Sequence, residues 1–354
     1  MEQAPIAMLV DLSSDQVLYD RGGDTGFLPA SMTKAMSALV AFDLIKAGKL
    51  REDALVTVRP TTAARWAGKG TSLNLQAGEQ VRIGDLLMGT MVVSANDASV
   101  ALAEAALGST DAFVAAMNAR AKALGMASSH FGTPNGFPDR AVTVVTASDL
   151  VLLAGALVNE HPDLYRRYIG KPTMVWRGAV LTSHDPFAGV LPGADGIKTG
   201  HTYEAGFNFL GSVMREGRRL VVVIGRSPTE PGRAAAAKNL TEWGFAAFDS
   251  RPFLTPDWIV GAVEVQDGDA RELAVAVPRA FTIAVPKGMP PRITARIVYD
   301  GPVRAPIAKG AIVARLVVTG TGLPDHTLPL VATQAVSQAG PIDRLVNALL
   351  GLFR

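Results

Sequence analysis

Residues 29–34 read Pro29-Ala30-Ser31-Met32-Thr33-Lys34, and they set the strongest condition on any fold this chain adopts. A serine and a lysine three apart on a helix share a face. From Ser31 onward Met32, Met36, Leu39, Val40, Phe42, Leu44 and Ile45 recur at helical spacing, and Gly48 closes the run. Ser31 is thus expected at a helix start, where free backbone N–H groups and the helix dipole favour developing negative charge. A serine hydroxyl is a weak nucleophile until a base takes its proton. Lysine is that base only if burial or a second cation pulls its pKa down. The rest of the chain must supply that cation, oxyanion donors and a grip on the substrate.

The length, 354 residues, suggests two domains or one large domain with an appendage. Hydrophobic residues make up 48% and charged residues 19%, enough for a sizeable core. The net charge of +2 gives no electrostatic case for nucleic acid. Cysteine is absent, which excludes disulfides, thiolate zinc sites and a cysteine nucleophile. No apolar run reaches the roughly 20 residues of a membrane-spanning helix. No basic and apolar leader precedes Ala7–Val10, so either the protein is cytoplasmic or a signal peptide has been removed.

Ala7–Asp11 and Gln16–Tyr19 read as strands joined by the turn Ser13-Ser14-Asp15. Helical patterns follow over Leu86–Met91, Ala98–Ala106, Asp111–Leu124 and Ser148–Val158, the last with Ser148 or Thr146 as its cap. Val92–Asp97 reads as a turn, and Thr133-Pro134-Asn135-Gly136 is strong turn chemistry. A glycine-rich stretch, 193–200, leads into the strand-like runs Phe207–Val213 and Leu220–Ile224. Pro231-Gly232 marks a break before a helix ending near Phe245. Beyond Arg251-Pro252 short β-like runs predict a small all-β domain: Trp258–Val265, Leu273–Val277, Ala280–Val285, Ile293–Tyr299, Ile312–Val318 and Leu328–Ala332. Ile342, Leu345, Val346, Leu349, Leu352 and Phe353 give the last residues an amphipathic helical pattern.

Ser31-x-x-Lys34, Ser94-Ala95-Asn96 and Lys198-Thr199-Gly200 occur in this order. Each alone fits a cap, a turn or a surface charge; the joint occurrence changes the odds. Together they resemble the serine penicillin-recognising enzymes, which include penicillin-binding proteins and serine β-lactamases. Pro29–Lys34, Asp195–Thr202 and Glu204–Asn208 narrow the likeness to the low-molecular-mass D-alanyl-D-alanine carboxypeptidases. Val303–Gly310 is similar, less specifically, to the C-terminal domain of those proteins.

The resemblance implies a set of roles. Ser31 attacks the carbonyl of the penultimate residue; Lys34 takes its proton; Lys198 supplies the positive charge that keeps Lys34 neutral. Ser94 relays a proton to the leaving amine, and Asn96 bonds substrate backbone and Lys34. The backbone N–H groups of Ser31 and His201 form the oxyanion hole, beside Gly200. Thr199 and Arg233 hold the terminal carboxylate, although the residues alone leave Arg233 equally open as a surface charge. His201 invites a Ser-His-Asp triad, but no G-x-S-x-G elbow is present. His130, His161, His184 and His326 show no metal-ligand spacing and read as surface or core residues. Ile197 before Lys198 breaks the phosphate-loop pattern. One departure concerns the groove: relatives often carry an asparagine-rich segment between Trp176 and Gly193, where this chain has Leu181-Thr182-Ser183-His184-Asp185-Pro186.

The expectation is an α/β transpeptidase-like domain over 1–250 with an antiparallel sheet between helical layers. A small β-sandwich-like domain over 251–335 and an amphipathic membrane-associating helix over 340–354 complete it. The resemblance implies removal of the terminal D-alanine from peptidoglycan stem peptides, inhibition by β-lactams, and a place on the periplasmic face of the inner membrane. No cofactor or metal is expected. The rivals are a serine β-lactamase, for which the E-x-x-L-N segment is missing, and a non-catalytic cell-wall scaffold.

Overall fold

A computed structural model describes residues 4–288, 293–320 and 323–340. The terminal helix expected over 340–354 falls, beyond Gly340, outside the described residues. The chain divides into two compact units, 1–245 and 246–354.

In the first unit β1 (Ile6–Asp11) and β2 (Gln16–Arg21) form the expected hairpin, followed by a 3-10 turn, Ala30–Thr33, that runs into α1 (Lys34–Lys46). Next come β3 (Leu55–Thr57), α2 (Pro60–Trp66), β4 (Gln80–Arg82), α3 (Ile83–Met91), α4 (Asn96–Leu107) and α5 (Thr110–Ala123). After α6 (Ala147–Glu160) and α7 (Pro162–Tyr168) a small hairpin, β5 (Thr173–Trp176) and β6 (Ala179–Thr182), precedes β7 (Ala194–Thr202). Strands β8 (Gly206–Arg215) and β9 (Arg218–Ser227) and helix α8 (Glu230–Ala247) follow.

The main sheet has the order β2-β1-β9-β8-β7, and each neighbouring pair is antiparallel. Side chains alternate between its faces. Ile6, Met8, Val10, Val221 and Val223 join the core built with α1 and its neighbouring helices. Ala7, Leu9, Leu220, Val222 and Ile224 join a second core with Ala236, Ala237 and Leu240 of α8. Both faces are covered, so these strands read as continuous apolar runs rather than as alternation. The whole stretch Lys34–Phe42 of α1 is buried, as befits a central helix. Burying a side chain such as Phe42 completely is worth about 1.5–3 kcal/mol.

The glycine-rich 193–200 stretch, given no element by the sequence, belongs from Ala194 onward to edge strand β7, Ala194–Thr202. Two local expectations need correction. Pro231-Gly232 does not break the chain; it lies in the first turn of α8, where a missing proline N–H costs nothing. Asn96 already begins α4, so the expected turn is shorter. The cap of α6 is Thr146, which accepts from Asp149 N at 3.2 Å.

The second unit is all β. Strands β10 (Phe248–Leu254) and β13 (Phe281–Pro286) pair by themselves. A six-stranded sheet comprises β11 (Ile259–Gln266), β12 (Glu272–Ala276), β14 (Ile293–Val298), β15 (Val303–Arg304), β16 (Ile312–Gly320) and β17 (Leu323–Ala332). Its core takes alternate residues, such as Leu273 and Val275, Ala314, Leu316 and Val318, and Leu328 and Leu330.

Candidate active site

The 3-10 turn carries Ser31 and hands the chain to α1 one residue before Lys34 turns inward. Ala30 is held at φ +49°, and the carbonyl of Ala30 lies where a Cβ on Gly136 would stand, 1.9 Å away. Only glycine lets the 133–136 turn pack this closely. That packing delivers carbonyls to the back of the site: Pro134 O accepts from Ser37 Oγ at 2.5 Å and from Ser99 Oγ at 2.8 Å.

Lys34 is fully buried. Its Nζ stands 2.9 Å from Ser31 Oγ, 2.8 Å from Asn96 Oδ1 and 2.6 Å from the Asn135 carbonyl oxygen. Burial above all, then the Lys198 cation, holds the amine well below its ordinary pKa, while Asp97 works the other way. Lys198, also buried, donates to the Thr199 carbonyl at 3.1 Å. Burial brings Lys198 down to about 7, with Asp185 raising it and Arg233 lowering it.

Ser94 sits between α3 and α4 at φ +65°, a strained conformation for a residue with a side chain. Asp97 pins the neighbouring loop, accepting from Leu73 N at 2.9 Å, Ser72 Oγ at 2.6 Å and Leu75 N at 3.0 Å. Asn96 Nδ2 donates to the Lys69 carbonyl at 3.2 Å, so the amide is oriented from both ends.

Strand β7 brings the Lys198-Thr199-Gly200-His201 run against the 3-10 turn. A Cβ on Gly200 would meet Pro29 O at 2.1 Å and Met32 N at 3.1 Å. Below it Arg219 Nη1 holds Asp195 at 2.7 Å. The His201 ring stacks on Phe207, with centroids 3.9 Å apart. Arg233 lies in the first turn of α8, 3% exposed, its guanidinium 6.0 Å from the Phe207 ring and 3.0 Å from Glu230. It is therefore not the surface charge that the residues alone left open. Ser31, Thr71, Ser94, His184, Thr199, Gly200, His201, Phe207, Glu230 and Arg233 line one cleft of about 260 Å³. A nucleophile with a buried amine behind it and a buried arginine at the far wall suits acyl transfer from a substrate bearing an anion.

The profile of the D-alanyl-D-alanine carboxypeptidase family matches residues 2–228, more than half of the chain. The chain belongs to that family. The profile of the penicillin-binding protein 5 C-terminal domain matches residues 248–338. The D-alanyl-D-alanine carboxypeptidase DacA of Escherichia coli (strain K12) is 31% identical over 353 residues, covering 98% of this chain and 87% of that protein. DacD of Salmonella typhimurium is 32% identical, covering 96% and 87%. Among solved structures, penicillin-binding protein 5 from Haemophilus influenzae superposes with a TM-score of 0.85 at 28% identity, over 95% of this chain and 98% of that one. Penicillin-binding protein D2 from Listeria monocytogenes in its ampicillin-bound form gives 0.61 at 29% identity, over 69% and 97%. As a carboxypeptidase of this family the protein is a hydrolase, and the carboxypeptidase reading stands over the β-lactamase and scaffold readings.

Of the residues singled out by sequence in this carboxypeptidase, Ser31, Ser94, Thr199, Gly200, His201 and Arg233 line the cleft. Lys34, Asn96 and Lys198 lie buried beside it. Sequence reasoning missed the Asn135 carbonyl, the anchoring carboxylate of Asp97, and the cleft residues His184 and Glu230. His161 pairs instead with Asp43 at 2.8 Å. Asp43, Glu160 and His161 stand close enough to hold a cation, but Arg120 already forms ion pairs with both carboxylates, its Nε 2.9 Å from Asp43.

Proposed function

We propose that this protein removes the C-terminal D-alanine from peptidoglycan stem peptides by way of an ester on Ser31. The 2.9 Å contact between Ser31 Oγ and the buried Lys34 amine carries the reading. Lys34 accepts the hydroxyl proton as Ser31 attacks the penultimate carbonyl. The N–H groups of Ser31 and His201 receive the oxyanion; losing one such donor costs other hydrolases about 10²–10³ in rate. Ser94 passes a proton to the departing amine, Asn96 bonds the substrate backbone, Lys198 keeps the Lys34 amine neutral, and Thr199 and Arg233 hold the terminal carboxylate. Water then cleaves the ester. An extended substrate lies along β7, the free edge of the main sheet.

β-Lactams mimic the substrate and acylate Ser31. The catalytic part spans 1–250, with 251–335 as a separate β domain. The apolar stripe from Ile342 to Phe353 attaches the protein to the periplasmic face of the inner membrane, in the plane of the interface. Incubation with a peptide ending in D-alanyl-D-alanine tests the chemistry. Free D-alanine should appear, and penicillin should block its release. A folded protein that releases none, or that releases it regardless of penicillin, contradicts the reading.

A further inference from the structure

The cleft holds a group that the reaction above does not use. His184 lies in the segment between β6 and β7, and it lines the cleft together with Ser31, Ser94, Thr199 and Arg233. The segment is held at several points. Ser183 N donates to Pro172 O at 2.8 Å, Asp185 N to Ser183 Oγ at 3.2 Å, and Phe187 N to Asp185 Oδ1 at 2.8 Å. The Phe187 ring is buried edge-on against Phe209, with centroids 4.9 Å apart. The backbone on either side of His184 is thereby anchored at the cleft.

We propose that His184 is a specificity-determining residue for the substrate's free terminal carboxylate, taking up one proton from solvent as that carboxylate enters the cleft beside Arg233. The inference rests on the carboxypeptidase reading. Lys198 on β7 and Glu230 and Arg233 on α8 are the charged groups that act on the ring, which is exposed at the cleft surface. Partial desolvation first, then Lys198 and Arg233, hold the imidazole below its ordinary pKa, against the opposing pull of Glu230. A carboxylate bound beside it favours the charged ring and raises that pKa. Below the free-state pKa the ring is charged with or without substrate, and above the bound-state pKa it is neutral in both. Between the two, binding and proton uptake are linked, so affinity falls as pH rises, at most about tenfold per pH unit. An asparagine at this position can hydrogen-bond the same group but cannot follow pH.

The test compares the native protein with His184→Asn on a free-acid peptide ending in D-alanyl-D-alanine, measuring KM and kcat from pH 5 to 8. The variant's KM should exceed the native value by up to about tenfold at the acidic end and converge with it toward pH 8, the kcat ratio staying flat. A KM ratio independent of pH overturns the proposal. So does one that grows toward pH 8, which would assign the proton to another group. Penicillin labelling of both preparations judges the parent reading separately: labelled proteins with a flat KM ratio sink the role of His184 alone.

Discussion

Lys34 works as a base only while its amine is unprotonated, and its neighbours decide the pH at which that holds. Burial is the largest influence and Lys198 the next, both lowering its pKa. Acylation should therefore rise with pH as Lys34 sheds its proton. Removing the neighbouring cation takes away one lowering influence, so Lys34 keeps its proton to higher pH. Lys198→Ala should shift the acid limb of residual penicillin acylation upward, read from the second-order rate constant across pH 5–10. An unmoved limb would show that burial alone sets the base. The residues Ser31, Lys34 and Asn96 were legible in the sequence because side-chain identity and spacing carry them. The Asn135 contact was not, because a backbone carbonyl has no side-chain signature. Arg233 was half legible: an arginine in a helix's first turn is usually solvated, and only the cleft wall explains its 3% exposure.

At the scale of elements the decisive contact is β7 against the 3-10 turn. Gly200 keeps that approach possible, and Gly200→Ala places a methyl 2.1 Å from a backbone oxygen that cannot rotate away. Strand or turn must shift by around 1 Å, which at a reacting centre costs about 10²-fold. The penicillin acylation rate should fall by that order, and thermal melting should report a loss of about 1–3 kcal/mol. A variant that acylates at the native rate would mean that the turn adapts freely. The longer helices were readable from apolar periodicity and the small domain from its regular short runs, but α2 and α7, seven residues each, are too short to show a period. Strand β7 was hidden because Gly193, Gly196 and Gly200 imitate a loop. The start of α8 was hidden because proline and glycine read as a break although a first helical turn accepts them.

On the whole-molecule scale every cleft residue belongs to the first unit, and the ampicillin-bound Listeria structure aligns over 69% of this chain and 97% of its own length. Residues 1–247, which end where α8 ends, should fold and be acylated by penicillin at the native rate. A well-folded fragment that resists acylation would show that the β unit completes the site. Deleting residues 341–354 should release the protein from lipid vesicles in a sedimentation assay, and a shortened protein that still pellets with them would refute the anchor. The layered catalytic unit was expected from the sequence, but the place of β1 beside β9 was not, since pairing across some two hundred residues leaves no local pattern. The three contacts of Lys34 have a consequence that depends on the entire unit. A neutral amine has two N–H bonds and one lone pair. Asn96 Oδ1 and the Asn135 carbonyl can only accept, so they take both N–H bonds and leave the lone pair aimed at the Ser31 hydroxyl. These two acceptors lie 62 and 101 residues along the chain from Lys34. The direction of a single electron pair is thus set by the cooperativity of folding, and a protein that loosens either segment loses its nucleophile before it loses its shape.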